Sequence, residues 1–314
     1  MRKLRFLLLA LIALTVRPSA GARMTDRTPV GEIPFTLSAD NRMYVTAFVN
    51  GSDSLRFLVD TGASSIVLNV SSAKLKSCIR KGVEGYNLGT TGSSRIEYSS
   101  GNTVSAGTIL WEKADCAHIS FSPDSWDGVL GLGGLAAFNV EFNYDDLKIY
   151  LYPKETIEAD SSHVALPFVY KYSVPFVTLP VRLNGKLHHL SLEVDTGSDR
   201  VIDLSTPFVG RNGLMGTQKP FAVSTIASSD GGEGRLENVF FDEVIVGPYI
   251  LPGVPGAYST LTSGMLNNED VDGMIGNNFL KRFNMLIDFK SNIIYLRPNN
   301  FLYTPFYDFL VRRS

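Results

Sequence analysis

The chain has 314 residues, a length that suits two domains of ordinary size. Its composition is that of a globular protein, with 44% hydrophobic and 19% charged residues, and its 28 glycines and 15 prolines favour a fold of strands and loops. The formal net charge is only −2 and no basic patch stands out, which argues against a nucleic-acid partner.

Residues 1–22 predict a signal peptide. A basic start is followed by an apolar run over 6–16, and Ala20-Gly21-Ala22 supplies the small-residue pattern of a cleavage site. The apolar run is too short to span a bilayer, for which about 20 residues are needed. We therefore expect an exported chain, periplasmic or extracellular, with no membrane span after processing.

The cysteines and histidines do not form a recognisable metal motif. Neither Cys78 nor Cys116 belongs to a CxxC pair, and the four histidines do not complete a zinc set. We therefore expect no metal site. In an oxidising compartment the two cysteines could form a disulfide or remain free thiols, and the sequence leaves both states open.

A first lobe of strands and turns is predicted over 29–153. Residues 42–59 predict a hairpin that turns at Asn50-Gly51, and its second strand ends at Asp60-Thr61-Gly62. Three further predicted elements complete the lobe: an apolar strand that ends at Gly131, a short helix over 135–139 and a closing hairpin over 140–152.

Between the first Asp-Thr-Gly and the apolar strand lies a stretch rich in glycine, serine and threonine, over 82–107. It is tightest at Gly89-Thr90-Thr91-Gly92. Such a stretch predicts a mobile hairpin over a site, although surface loops of this composition are often without function.

Residues 154–164 are polar, lack apolar periodicity and predict a linker. The plan then repeats over 165–300, where a hairpin ends at Asp195-Thr196-Gly197, followed by Ser198, and a short helix is predicted over 279–283. The aromatic tail, 301–314, is expected to pack in part on a sheet between the lobes.

An internal duplication supports this division. Residues 127–153 and 272–298 align without a gap at an offset of 145, with identical residues at positions that include an aspartate, two glycines and a proline. Two copies of one folding unit commonly pair about a two-fold axis. We therefore expect Asp60 and Asp195, which are 135 residues apart, to face each other across that axis.

Two neighbouring carboxyl groups that share one proton can hold a water between a base and an acid. Such a water can attack an amide carbonyl while the neutral carboxyl protonates the oxygen. Gly62 and Gly197 allow close approach of the backbone, and the hydroxyls of Thr61 and Thr196 can cross-link the two loops.

These residues resemble the aspartic peptidases. Each hydrophobic-Asp-Thr-Gly loop is followed about 70 residues later by a hydrophobic-hydrophobic-Gly strand (129 − 60 = 69; 274 − 195 = 79), and the resemblance extends over about 35–298. The lobes are short for pepsin and more similar to retroviral-type units fused in tandem, as in exported bacterial members of the superfamily.

The resemblance implies a mainly β, bilobal pepsin-like fold with few short helices. It implies an endopeptidase that needs no cofactor, acts on peptides or unfolded proteins, and works as a monomer containing an intramolecular pseudo-dimer. It also implies a flap hairpin, whose candidate residues are Tyr86, Gly89, Thr90, Thr91 and Gly92, with Tyr98 as an alternative aromatic residue.

The loops differ at the position after the glycine. Ser198 carries a hydroxyl, as in pepsin-type enzymes, whereas Ala63 resembles retroviral-type enzymes. If the Ser198 hydroxyl donates to Asp195, it favours the charged form of that residue. Asp60 is then expected to hold the shared proton.

The sequence allows three other interpretations. The first is a catalytically silent peptide- or protein-binding module on the same fold. The second is a glycosidase with two carboxyl groups, but nothing else suggests sugar binding. The third pairs Asp127 with Asp272, which we interpret as turn or capping residues because no Thr-Gly follows them.

Overall fold

The computed structural model describes residues 22–23, 27–122 and 125–306. Most of the predicted signal peptide, 1–21, and the end of the predicted tail, 307–314, lie outside the described residues. A two-residue strand, β1 (Ala22–Arg23), pairs in parallel with β12 (Ile157–Glu158). In the described part of the chain, no helix has the length and hydropathy needed to cross a membrane.

The first lobe is built from ten strands and one short helix. They are β2 (Gly31–Leu37), β3 (Met43–Val49), β4 (Leu55–Asp60), β5 (Ile66–Asn69), β6 (Val83–Leu88), β7 (Ser93–Ala106), β8 (Ile109–Ile119), β9 (Gly128–Gly131), α1 (Leu132–Leu135), β10 (Asn139–Asn143) and β11 (Lys148–Tyr152).

The second lobe repeats these ten strands in the same order and adds a helix. Its elements are β13 (Val164–Lys171), β14 (Val174–Leu183), β15 (Lys186–Asp195), β16 (Ile202–Leu204), α2 (Thr206–Arg211), β17 (Ala222–Ala227), β18 (Glu233–Val246), β19 (Tyr249–Ser259), β20 (Gly273–Gly276), α3 (Asn277–Leu280), β21 (Phe283–Asp288) and β22 (Ile293–Pro298).

A six-stranded sheet joins the lobes, in the order β2–β11–β10–β21–β22–β13. At its centre β10 pairs antiparallel with β21, and Phe142 lies opposite Met285. Both side chains are fully buried in one apolar cluster that extends through both lobes. The duplicated units therefore meet at a near two-fold axis between β10 and β21.

The short helices begin earlier than the sequence predicts. The predictions were 135–139 and 279–283, whereas α1 begins at Leu132 and α3 at Asn277. Each helix starts directly after the glycine that ends the preceding strand. The chain then returns to a strand by Asn139 and Phe283, so both helix predictions were displaced toward the carboxyl end.

Two further local features of the structure concern a helix start and the predicted linker. The Ser205 hydroxyl accepts from the amide of Phe208, and a proline lies in the first turn of α2, a combination typical of a helix start. Within the predicted linker, Ile157 is buried and belongs to β12. The segment therefore packs on the protein.

Cys78 and Cys116 are free thiols, so the disulfide considered above is not formed. Cys116 lies in β8, fully buried between β5 and β7. Burial raises the pKa of its thiol to about 12. The thiolate that disulfide formation requires is therefore scarce at this position.

The described part of the tail packs against the core. The guanidinium of Arg282 is fully buried, donates to the carbonyl oxygen of Phe301 at 3.0 Å and stacks on the Phe306 ring at 3.7 Å. Phe306 also stacks on Phe279 of α3. One buried cation therefore holds the segment after β22 against the second lobe.

Candidate active site

The two Asp-Thr-Gly loops lie at equivalent places in the two lobes. β4 runs parallel to β9 with Asp60 opposite Gly131, and β15 runs parallel to β20 with Asp195 opposite Gly276. The three residues before each aspartate are buried. These strands therefore present both carboxyl groups, partly exposed, at the floor of one cleft between the lobes.

Reciprocal hydrogen bonds join the two loops. The Thr61 hydroxyl donates to Val194 O at 2.6 Å and accepts from the Thr196 amide at 3.0 Å. The Thr196 hydroxyl donates to Val59 O at 3.0 Å and accepts from the Thr61 amide at 3.0 Å. All four hydrogen bonds are buried. The cross-link expected from the sequence is present, and it fixes the separation of the aspartates.

Glycine follows each Asp-Thr pair because the opposite loop leaves little room for a side chain. A methyl group on Gly197 would overlap the Asp60 carboxyl group, and one on Gly62 would lie 3.1 Å from Asp195 Cγ. The amides of Gly62 and Gly197 each donate to the aspartate of their own loop at 2.8 Å. Each carboxyl group therefore packs against the glycine of the opposite loop, which brings the two groups close enough to share one proton.

Ser198 contacts Asp195 differently from the expectation. Its amide, and not its hydroxyl, donates to Asp195 Oδ1 at 3.1 Å. The hydroxyl instead accepts from the Arg200 amide at 3.3 Å. The sequence predicts a contact between the Ser198 hydroxyl and the Asp195 carboxylate, and this prediction is wrong. The turn after Gly197 places the Ser198 amide, instead of its hydroxyl, next to that carboxylate.

The surroundings of the two aspartates differ in charge. Burial raises the pKa of Asp60, but hydrogen bonds from Asp195 and the Gly62 amide and the charge of Arg42 oppose this rise. Burial also raises the pKa of Asp195, and the negative charges of Asp60 and Glu193 raise it further. These directions favour the shared proton on Asp195, whereas the sequence favours Asp60; because the two groups titrate as a unit, the assignment to Asp60 stays a prediction.

Arg42 connects the first lobe with the second loop. Its Nε donates to Gly197 O at 2.8 Å, and its other guanidinium nitrogens lie 3.2 Å from Asp40 and 3.3 Å from Asp199. The guanidinium also lies over the Trp126 ring, 5.7 Å from its centroid. A positive charge therefore lies at the edge of the pair formed by Asp60 and Asp195, which we call the dyad.

Asp127 and Asp272 have structural contacts. Asp127 Oδ2 accepts from the Arg56 amide at 2.8 Å, and Asp272 Oδ2 accepts from the Ser191 amide at 2.9 Å. These bonds agree with the interpretation of both residues as capping groups. Among the described residues, no group of three or more His, Cys, Asp or Glu side chains is arranged to hold a metal ion.

The cleft above Asp60 and Asp195 has a volume of about 1310 Å³, and both lobes line it with polar and apolar residues. Among the polar residues of the second lobe, Arg200 donates to Asp203 at 2.7 Å and to Ser224 at 3.0 Å. The first lobe contributes a cluster of buried apolar residues: Leu58, Val67, Ala117, Ile119 and Val129.

The predicted flap is the hairpin β6–β7, whose turn at 89–92 reaches the second lobe. Three of the flap candidates line the cleft: Tyr86, Gly89 and Thr90. The other two, Thr91 and Gly92, contact the second lobe through hydrogen bonds to Asp230. Tyr86 is 70% exposed. The hydroxyl of Tyr98 donates to Tyr86 O at 3.2 Å, and Tyr98 is the more enclosed of the two tyrosines.

Asp230, in the turn between β17 and β18, fastens the flap tip. Its carboxylate accepts from the Thr91 hydroxyl at 2.7 Å and from the Gly92 amide at 2.9 Å. The Thr90 amide donates to the Ser228 hydroxyl at 2.8 Å. Burial alone would raise the pKa of Asp230, but hydrogen bonds from Ser228 and Thr91 lower it. The hairpin predicted as mobile is therefore held at its tip by a charged carboxylate.

Asp230→Ala is expected to release the flap tip. The substitution removes the charged acceptor of the Thr91 and Gly92 donors, and hydrogen bonds to charged groups contribute about 1.5–3 kcal/mol. We expect amide exchange over 89–92 to become at least about tenfold faster. Hydrogen–deuterium exchange with peptide-level mass spectrometry measures this.

The matched control for this prediction is Asp242→Ala. Asp242 also accepts from a turn amide, that of Gly185 at 2.7 Å, but it lies at another hairpin of the same lobe. Exchange over 89–92 should be unchanged in that variant. Equal exchange at the tip in Asp230→Ala and in the unmodified chain would show that the carboxylate does not hold the flap.

The sequence patterns do not identify four charged residues of the site: Arg42, Glu193, Arg200 and Asp230. The sequence does mark Glu193 as unusual. When the two loops are aligned at an offset of 135, Glu193 occupies the position of Leu58 in the first loop. A charge inside an otherwise apolar strand marks an unusual position. Each of the other three also makes a contact that is distant in sequence and that no local pattern shows: Arg42 with Gly197, Arg200 with Ser224 and Asp230 with Thr91.

Comparisons with known proteins bear on the fold. No protein-family model matches the chain, and no curated protein matches it. Among solved structures, the aspartic proteinase from Irpex lacteus is similar, with 15% sequence identity and a TM-score of 0.54. The match covers 87% of this chain and 98% of that chain. The predicted fold class, a mainly β, bilobal pepsin-like fold, is thereby confirmed.

Proposed function

We propose that the chain is an aspartic-type endopeptidase that hydrolyses peptide bonds with a water held between Asp60 and Asp195. One observation carries the proposal: two carboxyl groups from duplicated loops lie at the floor of one cleft, each packed against the glycine of the opposite loop. Two carboxyl groups so close share one proton, so that one serves as base and the other as acid.

The chemistry follows from that protonation state. Asp60 accepts a proton from the water, whose oxygen forms a bond to the carbonyl carbon of the substrate, while Asp195 donates its proton to the carbonyl oxygen. The tetrahedral intermediate then breaks its C–N bond as Asp60 gives the proton it accepted to the leaving nitrogen and Asp195 takes a proton back from a hydroxyl of the intermediate, which restores the starting protonation state. The products are a carboxylic acid and an amine, and no cofactor is required.

The cleft supports a peptide as the substrate. Its volume of about 1310 Å³ exceeds the usual range for small-molecule pockets, about 300–1,000 Å³, and it runs beneath a hairpin that can cover an extended chain. The buried apolar cluster of the first lobe that lines the cleft suits a large apolar side chain next to the cleaved bond. An unfolded protein offers such segments in extended form.

Three further parts of the proposal come from the sequence. We propose export through the signal peptide over 1–22, an origin of the two lobes in tandem retroviral-type units, and activity as a monomer. The one-to-one correspondence of β2–β11 with β13–β22 supports the duplication, because each lobe contributes one aspartate to the same cleft. A single chain then contains both halves of the site.

The test is cleavage of an unfolded protein by the chain from Arg23 onward, between pH 3 and pH 8, with and without a hydroxyl-containing transition-state analogue. We expect cleavage that the analogue blocks. Absence of cleavage of any substrate together with absence of analogue binding would overturn the proposal in favour of a silent peptide-binding module. Cleavage that the analogue does not affect would point to a different site or to a contaminant.

A further inference from the structure

One carboxyl group of the cleft has no part in the chemistry proposed above. Glu193 is only 5% exposed, and its Oε2 is buried without a hydrogen-bond partner among the described residues. A methyl group on Gly62 would lie 3.1 Å from Glu193 Oε1 and 3.1 Å from Asp195 Cγ, so both carboxyl groups lie next to Gly62. A third carboxyl group therefore lies beside the dyad.

The groups around Glu193 give no compensation for a negative charge. Its partners on the neighbouring strands are Phe176 of β14 and Met274 of β20, which are uncharged. The charged groups on its cleft side are Asp60 and Asp195, both acidic, and no described lysine, arginine or histidine forms an ion pair with it. A buried carboxylate without a cation is costly, so the neutral form is preferred.

The cation that acts on the Asp60–Asp195 pair is engaged with other groups. Arg42 forms ion pairs with Asp40 and Asp199 and donates to Gly197 O, and its charge acts on Asp60. Burial, with the charge of Asp60 as a second cause, raises the pKa of Glu193 to about 8. The site therefore retains two protons, one on the dyad and one on Glu193, over a wide range of pH.

We propose that Glu193 is a positioning residue that holds a proton beside the dyad and extends the singly protonated state of Asp60 and Asp195 toward higher pH. The inference rests on the function proposed above. Loss of one of the two protons leaves a new negative charge that makes the other harder to remove. The dyad thus keeps the proton that catalysis needs beyond the acidic range.

The first test compares the pH profile of kcat/KM for the unmodified chain with that of Glu193→Gln. Glutamine keeps the size of the side chain but cannot become charged. We expect the alkaline limb of the variant to move to lower pH by about one unit or more, because one like charge near a carboxyl group shifts its pKa by that order. The acid limb, set by Asp60, should remain in place.

The matched control is Glu141→Gln. Glu141 is also buried, at 6% exposure, but it accepts from Tyr152 and Asn143 in the sheet between the lobes and lies outside the cleft. Its profile should superimpose on that of the unmodified chain. An alkaline limb that does not move in Glu193→Gln would overturn the inference. Glu193→Leu, which matches the side chain at position 58, should give the same shift.

A second measurement is independent of catalysis. Between the ordinary pKa of glutamate, about 4.3, and the folded value of about 8, the native state binds a proton that the unfolded state has lost. The free energy of unfolding must therefore fall as pH rises through this window. In Glu193→Gln we expect the free energy of unfolding to fall less steeply with pH, by an amount that corresponds to nearly one bound proton.

The two measurements separate failure of the inference from failure of the proposed function. Equal slopes for Glu193→Gln and the unmodified chain between pH 5 and pH 8 would overturn the inference, whatever the activity. Absence of cleavage by every form, with the slope difference present, would overturn the proposed function and support the proton on Glu193. Urea unfolding at fixed pH intervals gives both slopes.

Discussion

Asp60→Asn and Asp195→Asn are each expected to lower kcat by at least about 10³-fold, since acid–base catalysis by a positioned group contributes about 10²–10⁴-fold. Asparagine at position 60 cannot take the proton of the water, and asparagine at position 195 cannot supply the proton for the carbonyl oxygen. Both variants keep an oxygen for the amides of Gly62 and Gly197, so the loops should retain their conformation.

The measurement is kcat for a labelled peptide, with thermal unfolding to verify that each variant is folded. The double variant should be no slower than the slower single variant, because the two carboxyl groups act as one unit. Asp53→Asn is the control, since Asp53 is an exposed residue of the β3–β4 turn. Turnover by both single variants at the unmodified rate would disprove the shared dyad.

The strands and the pairing of the lobes could be predicted from the sequence because the information is local and repeated. An apolar strand that ends at Asp60 and its copy that ends at Asp195 each specify a carboxyl group at a strand end. The duplication then specifies a near two-fold arrangement. Equivalent loops next to a two-fold axis lie against each other, so the hydrogen bonds of Thr61 and Thr196 across the axis could also be predicted.

Apart from Glu193, the charged residues of the site could not be predicted, because their roles depend on contacts distant in sequence. Asp230 lies in a turn of glycine and serine, and nothing near it indicates a contact with Thr91, 139 residues away. Ser198 illustrates a second limit. The residue type allows a hydroxyl contact with Asp195, but the conformation of the turn decides which of its groups donates.

Thr61→Val is expected to lower the free energy of unfolding by about 2–5 kcal/mol. Valine has the shape of threonine but lacks the hydroxyl, so Val194 O loses its donor and the Thr196 amide loses its acceptor. Thr61 is 1% exposed, so water cannot replace either partner. Each buried polar group left without a partner costs about 1–3 kcal/mol. Chemical denaturation measures the change.

Thr61→Ser separates the hydrogen bonds from the packing. Serine keeps the hydroxyl and loses one methyl group, for which we expect a cost of about 1 kcal/mol. Thr196→Val should resemble Thr61→Val, because Thr196 makes the same bonds from the other loop. The double valine variant should lose less than the sum of the two, since both act on one network. A valine variant as stable as the serine variant would show that the hydroxyls do not join the lobes. If the valine variants are destabilised and also turn over more slowly, the same bonds that join the lobes also set the separation of Asp60 and Asp195.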